Sequence, residues 1–143
     1  MTKSSGFTLI ELLVVIAIIG ILSAVGVVSY NGYVEGTKKK AAENVLMQIG
    51  LAQTDHYANC GSYYSTANGY CETPASESAC SPSDSTTKTL GEDLFNNEDY
   101  IGENIGYYFC SYLPTVTSYK AIAKSGSCEL SIDDSGAIDK SGC

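Results

Sequence analysis

From Phe7 to Val28 the chain is almost unbroken apolar sequence, and Glu11 is the one charge inside it. A helix needs about 20 such residues to cross a bilayer core, and this run supplies them. Tyr30 and Tyr33 follow as interfacial aromatics, and then the run Lys38-Lys39-Lys40. From Ala41 the pattern turns amphipathic. Ala42, Val45, Ile49 and Ala52 recur at alternating three- and four-residue steps, with Leu46 and Met47 flanking the stripe. Glu43, Gln48, Gln53 and Asp55 fall mainly outside it. Read together, the pattern predicts one helix from Phe7 to about Ala58, roughly 75–80 Å long at 1.5 Å per residue. Gly20, Gly26, Gly32, Gly36 and Gly50 each weaken it by about 1 kcal/mol relative to alanine. The same glycines would let neighbouring helices approach closely.

Asn59 to about Asn104 reads as irregular. Ser65-Thr66-Ala67-Asn68-Gly69 and the stretch from Ser76 to Thr87 are rich in turn formers. A short helix is expected around Glu92 to Glu98. Three strand patterns follow, over Gly106 to Leu113, Thr117 to Lys124 and Cys128 to Asp133. A fourth short strand is expected through Ala137-Ile138. Pro114, Ser125-Gly126-Ser127 and Asp134-Ser135-Gly136 mark the turns. No internal repeat is present, and the length leaves room for one domain besides the apolar segment.

Glu11 asks for an explanation. An acid in the middle of a membrane helix costs roughly 2.5–3.5 kcal/mol on insertion scales, so it needs a partner. The neighbouring sequence offers no countercharge. A positive charge on another molecule would serve, and cutting after Gly6 would create one as a free amine at Phe7. The segment Gly6-Phe7-Thr8-Leu9-Ile10-Glu11, followed by Leu12-Leu13-Val14-Val15-Ile16-Ala17-Ile18-Ile19-Gly20, resembles the class III signal of type IV prepilins.

That resemblance implies a set of roles. A prepilin peptidase would remove a leader of residues 1–6 and methylate Phe7. Phe7, Thr8 and Glu11 would form the assembly site, with Glu11 pairing to the Phe7 amine of a neighbouring subunit. The implied fold is α+β, a pilin fold: a long N-terminal helix, its hydrophobic half protruding, packed on a small antiparallel sheet headgroup. The implied segments are residues 7–28 as transmembrane and filament-core helix, 29–58 as its amphipathic continuation, 59–104 as a disulfide-bearing loop, and 105–143 as sheet and C-terminal loop. The Gly20 to Gly26 stretch is where the family's filaments would unwind the helix. The implied function is a structural subunit of a surface filament for adhesion, motility or uptake. Its partners would be other copies of itself in a helical homopolymer, the prepilin peptidase and the inner-membrane assembly machinery. The location would be the inner membrane first and the extracellular pilus afterwards. The competing readings are a minor pilin acting as a tip adhesin or binding module, and a pseudopilin of type II secretion. An ordinary secretory signal cut near Ser23-Ala24-Val25 would leave Glu11 without a role.

Six cysteines, Cys60, Cys71, Cys80, Cys110, Cys128 and Cys143, include no C-x-x-C pair and read as disulfides formed outside the cytosol. Fifteen full pairings are open. The resemblance favours a loop closed by Cys128–Cys143. Cys60, Cys71 and Cys80 are expected to staple the long loop, with the odd one reaching Cys110. His56 and Cys60 would be half a zinc site, but the thiols lack the usual ligand spacing and oxidation competes. His56 is expected as a surface residue near the helix end, and neither a metal nor a cofactor is expected.

Charge is divided unevenly. Residues 41–143 hold four lysines against fourteen acids, and the whole chain has no arginine. Such a balance argues against nucleic acid, whose backbone needs a basic footprint. A strip through Lys120, Lys124 and Lys140 is the one local candidate for DNA. Asp133, Asp134 and Asp139 invite calcium, but their spacing is no EF-hand loop and a solvated turn is the simpler reading. With a single histidine and no nucleophile elbow, phosphate loop or dinucleotide fingerprint, the sequence gives no basis for an enzyme.

Overall fold

A computed structural model describes residues 6–72, 75–97, 99–102 and 105–143. The chain runs through helix α1 (Leu9–Cys60), helix α2 (Asp84–Phe95) and strands β1 (Tyr108–Thr115), β2 (Ser118–Ser125), β3 (Cys128–Asp133) and β4 (Ile138–Ser141). It divides into two compact units at Thr37/Lys38. In the first unit the glycines do not interrupt α1: Gly20, Gly26, Gly32 and Gly36 are all helical. An added Cβ would meet nothing within 4 Å at any of the four.

The second unit holds the core. Its sheet is an antiparallel meander in the order β1-β2-β3-β4. Strand alternation sends Phe109 and Leu113 of β1, Tyr119, Ala121 and Ala123 of β2, and Leu130 and Ile132 of β3 to one face. There they pack with Ala42, Val45, Leu46 and Ile49 of α1, Leu90 of α2, Tyr64 and Ile101. Gly50 permits the close approach of helix to sheet, since a Cβ on it would lie 3.1 Å from the Tyr119 hydroxyl. The opposite face is not left open: Cys110, Tyr112 and Ile122 are buried there beside Cys80. This second cluster explains why β1 is buried over five consecutive residues rather than at alternate ones.

Several expectations need correction. The Ser/Thr-rich stretch expected as loop opens α2, which therefore begins well before Glu92; Glu98 lies outside the described residues. Ser83 starts the helix with a reciprocal cap. Its Oγ accepts from the Thr86 N–H at 3.2 Å, and its own N–H donates to Thr86 Oγ1 at 2.8 Å. Thr87 then donates to the Ser83 carbonyl and accepts from the Phe109 N–H, both at short range, so hydroxyls tie α2 to β1. Asn96 closes the helix in a left-handed conformation, φ 53°. Pro114 does not make a turn but lies inside β1, an edge strand, where a missing N–H is tolerated and the pairing shifts register between Tyr112 and Thr115. The turn falls at Val116-Thr117, and β4 begins at Ile138 rather than Ala137.

The polar positions of α1 are the larger surprise. Glu43, Gln53 and His56 are buried, at 5%, 0% and 2% exposure. Each is held by partners that the helical pattern alone does not reveal. Gln53 Nε2 donates to the Tyr64 carbonyl at 3.0 Å and to Ser111 Oγ at 2.8 Å, and its Oε1 accepts from the Tyr64 N–H at 2.8 Å. One amide thus joins helix, loop and β1. Glu43 accepts from Lys140 of β4 at 2.7 Å and from Lys40 at 2.8 Å. His56 is not the surface residue expected near the helix end: Cys71 and Ser62 fold over it.

Replacing Gln53 with leucine would strand the Tyr64 N–H in the core, at a cost of about 1–3 kcal/mol. A urea midpoint unchanged from wild type would contradict this. The two lysines, Lys140 foremost, hold the Glu43 carboxyl below the usual glutamate range. The lower value belongs to the folded state, so the unfolded chain binds the proton more readily. This contribution to stability is therefore complete above the ordinary glutamate value of about 4.3 and disappears as pH falls through the lowered one. Denaturation of the full chain in detergent between pH 6 and 3 should show a smaller acid loss in Glu43→Gln than in wild type; equal losses would count against it.

Candidate assembly site

The start of α1 ties Thr8, just before the helix, to Glu11 in its first turn, with Phe7 immediately ahead of them. Thr8 stands immediately before the helix, in the N-cap position, and Glu11 is the third helical residue. The Thr8 N–H donates to Glu11 Oε2 at 2.8 Å, and the Thr8 hydroxyl donates to the same oxygen at 2.7 Å. In return the Glu11 N–H donates to Thr8 Oγ1 at 3.3 Å. This is a capping box, which satisfies backbone donors that a helix start leaves free. Glu11 is therefore not without a local partner, as a search for countercharge alone suggests. Its signal, Thr-x-x-Glu ahead of an apolar run, stands openly in the sequence.

Both bonds fall on Oε2, and among the described residues Oε1 has no hydrogen-bond partner. An ammonium group would find there a carboxylate oxygen already fixed in direction. Gly6 and Phe7 precede the helix, and Phe7 is 84% exposed. Every large apolar side chain from Phe7 to Val28 is exposed as well. The segment is long and apolar enough to cross a membrane by length and composition.

Residues 1–27 match the family model described as the prokaryotic N-terminal methylation motif. The chain carries that motif. Over its matched parts it is similar to type IV major pilins. It is 38% identical over 78 residues to the type IV major pilin protein PilE1 of Neisseria gonorrhoeae, covering 53% of this chain and 36% of that protein. It is 42% identical over 64 residues to a fimbrial protein of Neisseria meningitidis serogroup B, covering 43% and 36% respectively. It is 52% identical over 46 residues to the type IV major fimbrial protein FimA of Dichelobacter nodosus, covering 32% and 28%. The matched stretch thus spans between 28% and 36% of these relatives' own length. No solved structure shows significant similarity to the chain.

The remaining candidate residues lie elsewhere. Residues 1–5 of the expected leader are outside the described residues. The structure pairs Cys60 with Cys71, Cys80 with Cys110, and Cys128 with Cys143, closing sequence separations of 11, 30 and 15. On chain-entropy grounds each is worth about 3–4 kcal/mol, the longest loop the most. The lysine strip considered for DNA does not form: Lys120 and Lys124 share the outer face of β2 with Ile122, whereas Lys140 reaches Glu43 on the helix. Lys124 also lies 3.9 Å from Glu129. At the β3–β4 turn, Asp133 Oδ1 accepts from the Ser135 N–H and hydroxyl, which holds the carboxyl below its usual range. These bonds serve the turn itself.

Replacing Thr8 with valine keeps the backbone donor but removes the hydroxyl that holds Glu11. In micelles, hydrogen exchange of the Glu11 and Leu12 amides should accelerate about fivefold, the equivalent of the ~1 kcal/mol that an N-cap contributes. Unchanged protection would mean that the capping box does not hold the first turn.

Proposed function

We propose that the chain is the structural subunit of a type IV pilus. A prepilin peptidase cuts between Gly6 and Phe7, and the new Phe7 amine is methylated. The inner membrane then holds the apolar half of α1 until the assembly machinery draws copies of the chain into a helical filament on the cell surface. The observation that carries this reading is the environment of Glu11. It is a carboxylate oriented by Thr8 in the first turn of an exposed apolar helix, directly after the Gly6-Phe7 bond. Similarity to major pilins supports it from outside the chain.

Physically, assembly exchanges one apolar solvent for another. Side chains such as Leu12, Val15 and Ile19 leave lipid and pack against the same residues of neighbouring copies. Hydrophobicity alone does not favour that exchange, because lipid tails are as apolar as leucine; packing and polar contacts must drive it. A single ion pair in such surroundings fixes the axial position of one subunit on the next. Methylation leaves the Phe7 amine cationic, so it keeps its attraction for Glu11 Oε1. The reading is of a structural protein rather than an enzyme. Filaments of this kind serve adhesion, motility or uptake.

The test separates assembly from folding. Glu11→Ala should leave the second unit folded, with its three disulfides and an unchanged denaturation midpoint, while the yield of sheared surface filaments falls sharply. Normal filament yield from Glu11→Ala cells would refute the assigned role.

A further inference from the structure

His56 and Cys60 stand one turn apart on α1, and the chain returns through Tyr70 to place Cys71 beside them. One imidazole nitrogen and the two sulfurs lie within 4.8 Å of one another. His56 is buried, Cys60 half-buried and Cys71 exposed, so the cluster has a closed side and an open one. His56 is also the chain's single histidine.

The ring is fixed as well as placed. Its Nδ1 lies 2.8 Å from the Ser62 carbonyl oxygen, which can only accept, so Nδ1 carries the proton. Its Nε2 accepts from the Cys71 N–H at 3.2 Å, which directs the lone pair toward Cys71. Tyr64 and Tyr70 meet the ring edge-on at centroid distances of 5.7 and 4.9 Å. An imidazole held at one nitrogen by a backbone carbonyl, with a lone pair on the other and two cysteine sulfurs close by, has the arrangement found in metal-ligating histidines.

With Cys60 and Cys71 joined, the sulfurs are bonded to each other and offer no thiolate. Every chain is synthesised with free thiols, however, so a dithiol form precedes the disulfide. We infer that this dithiol form binds one thiophilic divalent cation of the zinc class through His56, Cys60 and Cys71, and that closing the disulfide expels it. Two thiolates and a neutral imidazole make a three-donor set for such an ion, with water completing the tetrahedron on the exposed side. Binding releases the two thiol protons and takes Nε2 from the Cys71 N–H. A disulfide-bearing oxidant then removes two electrons as the Cys60–Cys71 bond forms. That oxidant becomes two thiols by taking up two protons, and the cation leaves with its charge unchanged. The inference stands independently of filament assembly.

The test uses the full chain in detergent micelles, reduced with a trialkylphosphine and freed of it without oxygen, then titrated with Co²⁺ as the probe. One equivalent should bind, with a thiolate-to-cobalt charge-transfer band and the strong visible bands of tetrahedral cobalt, and Zn²⁺ should displace it. The disulfide form should show neither band. Cys60→Ser with Cys71→Ser leaves four other thiols and should lose the signal. His56→Gln should weaken binding by about tenfold or more and shift the visible bands. Cys80→Ser with Cys110→Ser should retain the signal. The inference fails if the reduced chain gives no thiolate–cobalt band. It fails equally if the Cys60/Cys71 double variant binds as wild type does, as it would if unfolded thiols were responsible.

Discussion

Apolar surface that the chain itself does not cover governs the rest of this molecule. Burying one large aliphatic side chain is worth roughly 1.5–3 kcal/mol, and the segment from Phe7 to Val28 exposes them on all sides of α1. A helix apolar all round belongs in lipid or in the middle of a bundle. Glu11 is tolerable there because Thr8 supplies two hydrogen bonds to one of its oxygens. The other oxygen gives the apolar surface a direction: it marks one height on the helix where a cation is favoured. On the proposed reading, packing between copies would hold them together without fixing their position, and the carboxylate would supply position.

The second unit solves a different problem, the stability of a small domain. Its core is one helix stripe on a four-stranded meander, with α2 laid against β1. Few residues are available for burial, so covalent and polar ties carry much of the organisation. Three disulfides fasten the loop after α1, the loop before α2, and the start of β3. Gln53 joins helix, loop and sheet through a fully paired amide. Glu43 joins α1 to β4 through Lys140. Such ties fix register in a way that a compact apolar cluster of this size does not. Burial adds its own mark, pushing the Tyr119 hydroxyl up to about 12.

What the sequence revealed and what it concealed follow from the range of the interactions. Long α1 and three of the four strands are local patterns, in periodicity and alternation, and they are readable within a few residues of their ends. Thr8-x-x-Glu11 is equally local, yet its meaning is lost when Glu11 is considered only as a charge. Glu43, Gln53 and His56 could not be read correctly from α1, because their partners lie elsewhere: Lys140, Tyr64 with Ser111, and Cys71. Helical periodicity assigns such residues to solvent by default. Helix α2 was obscured for a related reason. Its Ser/Thr-rich start has weak intrinsic propensity, and it is the Ser83 cap and the hydroxyl bonds to β1 that secure it. Pro114 marks a turn in most contexts, but on an edge strand with a register shift its missing donor costs little.

On the proposed reading the chain is cut at Gly6–Phe7, and Phe7 then becomes the positive partner of Glu11 in a filament. Intact mass and N-terminal sequencing of fibres sheared from the native cells test it most directly. The fibres should contain a dominant chain that begins at N-methylated Phe7 and is lighter by the hydrogens lost in forming three disulfides. A chain still beginning at Met1, or one cut near Ala24, would contradict it.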